Sequence, residues 1–173
     1  MNSQLSGEIS EIVKDKIYLT GLKGATNIDE IKKLGVNVIV SILNFNPMFD
    51  KKDMYGEIAC IYYFAEDDDD FNIEQYFQSF QKIVEDPNNK ILVHCYCGVS
   101  RSSTLVASYL IHNYVNTLKK RLLEKYNVDR ILEIMKKRRT CVDPNDGFIK
   151  KLVDYRCELI FTKYAKLNNS TVE

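Results

Sequence analysis

Val93-His94-Cys95-Tyr96-Cys97-Gly98-Val99-Ser100-Arg101-Ser102-Ser103 is the stretch from which the rest of the chain can be read. Ile91-Leu92-Val93 reads as a buried strand, and Thr104-Leu105-Val106-Ala107-Ser108-Tyr109-Leu110 reads as a buried helix. Five residues separate Cys95 from Arg101, so the chain passes from strand to helix in one short loop. Such a turn aims several backbone N–H groups and the positive end of the helix dipole at one point, which makes it an anion site. Cys95 opens that site and Arg101 closes it. A cysteine at a helix N-terminus beside a guanidinium has its thiolate stabilised and is a nucleophile. Arg101 offers a planar fork of donors to two oxygens of a phosphate, and the loop N–H groups take the rest. The ligand implied is a phosphoryl group.

His-Cys, five residues, then Arg-Ser resembles the signature of the cysteine-dependent protein tyrosine phosphatases. The fuller string His94 to Ser102 is most similar to their compact, atypical dual-specificity branch. Cysteine and arginine at this spacing alone are a weak pattern; the apolar strand in front and the apolar helix behind make it specific. The resemblance implies a protein phosphatase acting on phosphotyrosine and phosphoserine/threonine through a cysteinyl-phosphate intermediate, with no cofactor and no metal. It implies Cys95 as nucleophile, Arg101 as the group on the equatorial oxygens, and Ser102 as a hydroxyl donating to the thiolate. Tyr96, Cys97, Gly98, Val99 and Ser100 complete the implied substrate-binding loop, and His94 orients it. The family's general acid is an aspartate just before a capped helix. The register set by Phe71-Asn72-Ile73 falls on Asp67, and a slip of one residue in this acidic run makes Asp68 the alternative.

The chain has 173 residues, enough for one domain with an ordinary core, and residues 1–173 read as a single catalytic domain. Hydrophobic residues make up 45% and charged residues 28%, the balance of a globular protein, and the formal net charge of zero offers no global field for nucleic acid or an anionic membrane. The start at Met1-Asn2-Ser3 carries no signal-like run, and no apolar run is long enough to span a bilayer, so the expected place is the cytoplasm, with the nucleus as the alternative. Five cysteines without regular spacing point to reduced thiols. Phosphorylated proteins are the expected partners, and the oligomeric state is left open.

Strand and helix patterns alternate along the chain, and the central strands lack polar alternation, which predicts an α/β fold with a mostly parallel sheet flanked by helices. Ser6 to Val13 carries Ile9, Ile12 and Val13 at helical spacing. Ile17-Tyr18-Leu19 reads as a first strand, Asn27 to Leu34 as a capped helix ended by Gly35, and Val36 to Leu43 as a central strand. Asn44 to Glu57, with Phe45, Met48, Phe49 and Tyr55, reads as a surface loop folded over the core or, less favoured, a substrate lip. Ile58 to Phe64 is another strand, and Asn72 caps a helix with Ile73, Tyr76, Phe77, Phe80, Ile83 and Val84 in one apolar stripe. Val128, Ile131, Leu132 and Met135 mark a further helix, and Phe148, Leu152, Tyr155 and Leu159 a last one. The dual-specificity family has a similar order, including a Pro-Asn-x-x-Phe turn matched by Pro144, Asn145 and Phe148. The departure is Tyr114 to Asn127, longer than the usual connection, which reads as an added amphipathic helix.

The same residues admit rival readings. His94, Cys95, Cys97 and His112 are soft ligands, but without zinc-knuckle spacing. A phosphopeptide-binding relative of the fold, or a phosphatase acting on phosphoinositide or RNA 5′-triphosphate, remains as the functional alternative. Loops for the latter substrates tend to carry extra lysines or end in Arg-Thr-Gly, whereas this one ends Val99-Ser100-Arg101-Ser102. The resemblance implies a shallow pocket, because larger tyrosine-specific members deepen theirs with an N-terminal aromatic loop for which this length leaves no room. Lys136-Lys137-Arg138-Arg139 reads either as a holder for a second phosphate or as a solvated helix end. Cys60, ahead of Cys97, is the expected partner if oxidised Cys95 is trapped as a disulfide.

Overall fold

The computed structural model describes residues 6–47 and 55–169, with the side chains of residues 120, 121 and 167–169 outside that description. The first residues Met1-Asn2-Ser3, and Met48 and Phe49 of the expected loop, lie outside the described residues.

Five strands, β1 (Ser10–Val13), β2 (Ile17–Thr20), β3 (Val38–Leu43), β4 (Ala59–Phe64) and β5 (Ile91–His94), form one sheet in the order β1-β2-β5-β3-β4. The pairs β2–β5, β5–β3 and β3–β4 are parallel, and β1 is antiparallel to β2. The apolar runs seen in the sequence are explained by burial on both faces. Ile17, Leu19, Val38, Val40, Ile42, Ile91 and Val93 point into one cluster, while Tyr18, Ile39 and Leu92 between them point into the other.

The smaller cluster is covered by α1 (Leu22–Ala25) and α2 (Ile28–Lys33), joined by Tyr55, whose hydroxyl donates to Ala25 O at 2.8 Å. Asn27 Oδ1 accepts from Glu30 N and starts α2, and Gly35, at φ +70°, ends it in the conformation that glycine adopts most cheaply. The larger cluster is covered by α3 (Phe77–Glu85), α4 (Arg101–Thr117), α6 (Val128–Lys136) and α7 (Asp146–Asn169), with the short α5 (Lys120–Leu123) between α4 and α6. Helix α4 is buried over most of its circumference, and its unbroken run of small and apolar residues from Ser102 to Ala107 is what that position demands.

Two expectations are corrected. Ile9, Ile12 and Val13 do not make a helix: Ser10 pairs with Leu19 and Glu11 with Tyr18 across a tight turn in which Asp15 sits at φ +54° and donates its N–H to Glu11 Oε1. The added helix between Tyr114 and Asn127 is a single turn, α5, because α4 itself runs on to Thr117 and Asn127 already caps α6 through Arg130 N. That segment is strapped to α7: Arg156 donates to Leu123 O and Tyr126 O, and Lys163 donates to the carbonyls of Val115, Asn116 and Leu118 at the end of α4. The expected cap at Asn72 is also altered, since its side chain makes no capping bond and the chain enters α3 through a 3₁₀ turn at Ile73–Tyr76.

Candidate active site

Parallel pairing ends β2, β5, β3 and β4 on one edge of the sheet, where ligands of such sheets collect. His94 pairs with Thr20 and Ser41, and Leu43 pairs with Phe64, so Cys95, Asn44-Phe45 and Ala65-Glu66-Asp67 all leave the sheet at that edge. Together they line a cavity of ≈ 580 Å³ whose wall comprises Asn44, Phe45, Asp67, Cys95, Tyr96, Cys97, Val99, Ser100 and Arg101. Gly98 and Ser102 also reach the cysteine. Gly98 N–H donates to Cys95 Sγ at 3.2 Å and the Ser102 hydroxyl donates at 3.1 Å, so two donors converge on the sulfur of a residue that is 1% exposed.

Arg101 opens α4 and is buried; its Nη1 donates to Ala65 O at 3.1 Å, which holds the side chain across the cavity. Its Nε lies 3.6 Å from Asp67 Oδ2, beyond hydrogen-bond reach, and has no hydrogen-bond partner among the described residues. A buried guanidinium N–H without a partner, on a residue that borders the cavity, is costly unless an anion takes it up. Asp67 is held from the other side as well: Ser100 Oγ donates to its Oδ1 at 2.6 Å and Asn145 Nδ2 at 3.1 Å. Asn145 in turn caps α7, its Oδ1 accepting from Phe148 N, and its own N–H donates to Ser100 Oγ. Asp68 is not part of that wall, and its carboxylate accepts from Asp70 N within the same turn.

His94 is no base here. Its Nδ1–H donates to Cys95 O at 3.3 Å, which leaves Nε2 to accept the Ser41 hydroxyl at 2.6 Å between the two central strands. Burial pushes its pKa down to about 4, against which the Cys95 carbonyl works only weakly. A histidine whose folded pKa lies below its unfolded value near 6.5 withdraws stability as the pH falls from about 6.5 toward 4. Between pH 7 and pH 5 the protein should therefore lose about 2 kcal/mol more than a His94→Gln variant. Urea unfolding at the two pH values measures this, and parallel losses in both proteins would refute it.

The other residues of the metal reading do not complete a ligand set among the described residues. His112 Nδ1 meets Tyr155 OH at 3.3 Å on the far side of α4, and among the described residues no group of three or more potential ligand side chains could hold a metal ion. Burial pushes the Cys97 thiol up, so it is a poor second nucleophile. Cys60 is not a partner for Cys95. It pairs with Ile39, which pairs with Leu92, and it packs with the smaller cluster. That sets it two strands across and about three residues back, roughly 14 Å away and on the opposite face of the sheet, whereas a disulfide needs Cα atoms within about 7 Å.

The basic run is also redistributed. Lys136 pairs with Asp143 at 3.3 Å. Arg138 faces the edge hairpin, where its charge adds a lesser contribution to the Asp15 N–H in holding the Glu11 carboxyl low. Arg139 is 1% exposed and lies under the loop, so it offers no second phosphate site on the surface. The sequence pattern placed Arg139 in a basic run but gave no sign of its bonds to the loop, nor of Ser100 and Asn145 as the groups that hold Asp67.

The model of the dual specificity phosphatase catalytic domain matches residues 17–158, and the chain belongs to the dual-specificity phosphatase family. It is 30% identical over 163 residues to the MAP kinase phosphatase with leucine-rich repeats protein 3 of Dictyostelium discoideum, a match covering 92% of this chain and 17% of that protein. It is 29% identical to the tyrosine-protein phosphatase yvh1 of Schizosaccharomyces pombe, covering 86% of this chain and 41% of the relative. The chain thus spans less than half the length of these curated relatives. Its fold is that of the Yvh1 phosphatase domain from Chaetomium thermophilum, with a TM-score of 0.74 at 23% identity over 86% of this chain and 95% of that one. Among the described residues no helix is long and apolar enough to cross a membrane.

Proposed function

We propose that residues 1–173 form one catalytic domain that hydrolyses phosphotyrosine and phosphoserine/threonine in proteins through a cysteinyl phosphate. The observation that carries this reading is one cavity bordered by Cys95, whose sulfur takes two donors, by Arg101, whose buried Nε has no hydrogen-bond partner among the described residues, and by Asp67, 3.6 Å from that Nε. In the first step Cys95 Sγ bonds to phosphorus as the bond to the leaving oxygen breaks, and Asp67 gives that oxygen a proton. Arg101 and the loop amides take the equatorial oxygens as charge spreads over them. In the second step a water gives its proton to Asp67 and attacks phosphorus. The sulfur departs as a thiolate into the bonds from Gly98 N–H and Ser102 O–H.

The wall favours Asp67 over Asp68 as the acid, because Asp67 borders the cavity and the Asp68 carboxylate is occupied in its own turn. Asp67→Asn should slow the hydrolysis of poor leaving groups by about 10²–10⁴-fold and that of p-nitrophenyl phosphate much less. Asp68→Asn should leave both near the native rate. A leaving-group series on the two variants decides the matter, and the reversed pattern would move the acid by one residue. Phosphopeptides bearing serine, threonine or tyrosine, assayed beside a phosphoinositide and an RNA 5′-triphosphate, test the substrate class. Turnover confined to the lipid or RNA would overturn the protein reading.

A further inference from the structure

Arg139 has no part in the reaction proposed above, yet its guanidinium is committed to the loop that would hold the anion. Its Nε donates to Gly98 O at 2.9 Å and its Nη2 to Cys97 O at 3.2 Å. At the other end Nη1 donates to Glu8 O at 3.0 Å and Ser10 Oγ at 3.3 Å, so the side chain ties the loop to the edge hairpin. In a trans peptide the carbonyl and the following N–H point in opposite directions, and the described chain has no cis bond. A donor that fixes the carbonyls of Cys97 and Gly98 on the outer side therefore turns the N–H groups of Gly98 and Val99 inward. The Gly98 amide is seen in that orientation, on Cys95 Sγ.

The flanking carbonyls of the loop are fixed outward by backbone donors instead: Tyr96 O by Leu22 N at 3.0 Å and Val99 O by Asp143 N at 2.9 Å. The two middle carbonyls are held by a side chain, and there the loop is tightest. Gly98 stands at φ +69°, and a Cβ on it would meet Thr20 O at 2.4 Å and Arg139 Nη2 at 2.8 Å. A loop clamped in this way meets developing charge without having to reorganise.

We propose that Arg139 is the positioning residue of the anion-binding loop, aiming the Gly98 and Val99 amides at the transferred phosphoryl group. The proposal rests on the phosphatase reading of the same site, and it separates from a purely structural role by what each variant loses. Arg139→Gln and Arg139→Lys should each lower kcat by about 10²-fold, the cost typical of one lost donor to a transition-state oxyanion. KM should rise much less, because the amides matter most when the equatorial charge is greatest. Ser10→Ala, which removes an acceptor at the far end of the guanidinium and a donor to Glu8 Oε1, should leave kcat and KM of the folded enzyme unchanged.

The native protein supplies a check that needs no variant. In ¹⁵N–¹H spectra with inorganic phosphate, the Gly98 and Val99 amides should be among those that shift most, and in Arg139→Lys their response should collapse. Native kcat and KM in a folded Arg139→Lys, or Gly98 and Val99 amides that ignore phosphate in the native protein, would overturn the proposal. If the native protein neither hydrolyses phosphomonoesters nor binds phosphate, the phosphatase reading falls first, and this inference falls with it.

Discussion

With Cys95 replaced by serine, hydrolysis of p-nitrophenyl phosphate should fall by about 10⁵-fold or more while inorganic phosphate still binds. The substitution leaves most of the site in place. The loop carbonyls remain fixed by Leu22 N, Arg139 and Asp143 N, so the inward amides keep their places. Arg101 remains held by Ala65 O with its Nε open. Ser102 O–H and Gly98 N–H, which meet the sulfur at 3.1 and 3.2 Å, can meet a hydroxyl oxygen instead. What is lost is the sulfur nucleophile, since a thiol attacks and leaves as a thiolate far more readily than an alcohol does as an alkoxide. Residual turnover above a trace in Cys95→Ser, or loss of phosphate binding in a folded variant, would each contradict this account.

The sequence makes the centre of the fold legible and the edges obscure, for physical reasons. β3 and β5 are buried throughout and α4 over most of its circumference, so their apolar runs have one meaning, and the loop between β5 and α4 is bounded by residues that chemistry restricts. β1 is an edge strand of four residues, where Ile9, Ile12 and Val13 fit a helical spacing as well as a strand, and only pairing with β2 decides between them. A run of acidic residues has no period, so Asp67 and Asp68 are separated only by where β4 ends and how the chain turns after it. Cys60 looks near when strands are counted without their order: with β5 placed inside the sheet, its face and register carry it away from Cys95.

Arg139 carries a signal that charge conceals. Val128, Ile131, Leu132 and Met135 are the buried residues of α6, and four positions beyond Met135 stands Arg139, whose N–H still donates to Met135 O. It continues the inward stripe past the helix end, while Lys136, Lys137 and Arg138 lie off it and are exposed. A basic residue in phase with a buried stripe must find acceptors inside the protein, and here they are the carbonyls of the loop and the edge hairpin. Asn145 is a similar case: its place in the Pro-Asn-x-x-Phe turn suits a cap for α7, but its second bond, to Asp67, depends on a loop 78 positions earlier in the chain.

Arg101→Lys should lower kcat by about 10³–10⁵-fold, the range of a transition-state arginine in phosphoryl transfer. Charge is conserved in this substitution, so the loss measures geometry. Arg101 uses Nη1 for Ala65 O while Nε stays open beside Asp67, and the planar fork makes both roles possible at once. A lysine ammonium reaching Ala65 O would sit at one point with no second donor toward the equatorial oxygens; reaching the phosphoryl group instead, it would leave that carbonyl unpaired in a buried place. Either way the cation is no longer held in register with the amides that Arg139 and the backbone fix. The Ser100 and Asn145 bonds to Asp67 do not involve Arg101, so the acid should stay in place and the leaving-group dependence should match the native enzyme. Steady-state kinetics on a series of aryl phosphates separates these effects: a lower line of unchanged slope is the expected result. Native kcat in Arg101→Lys would refute the role on the phosphoryl oxygens, and a loss that falls only on poor leaving groups would show that Arg101 serves Asp67 instead.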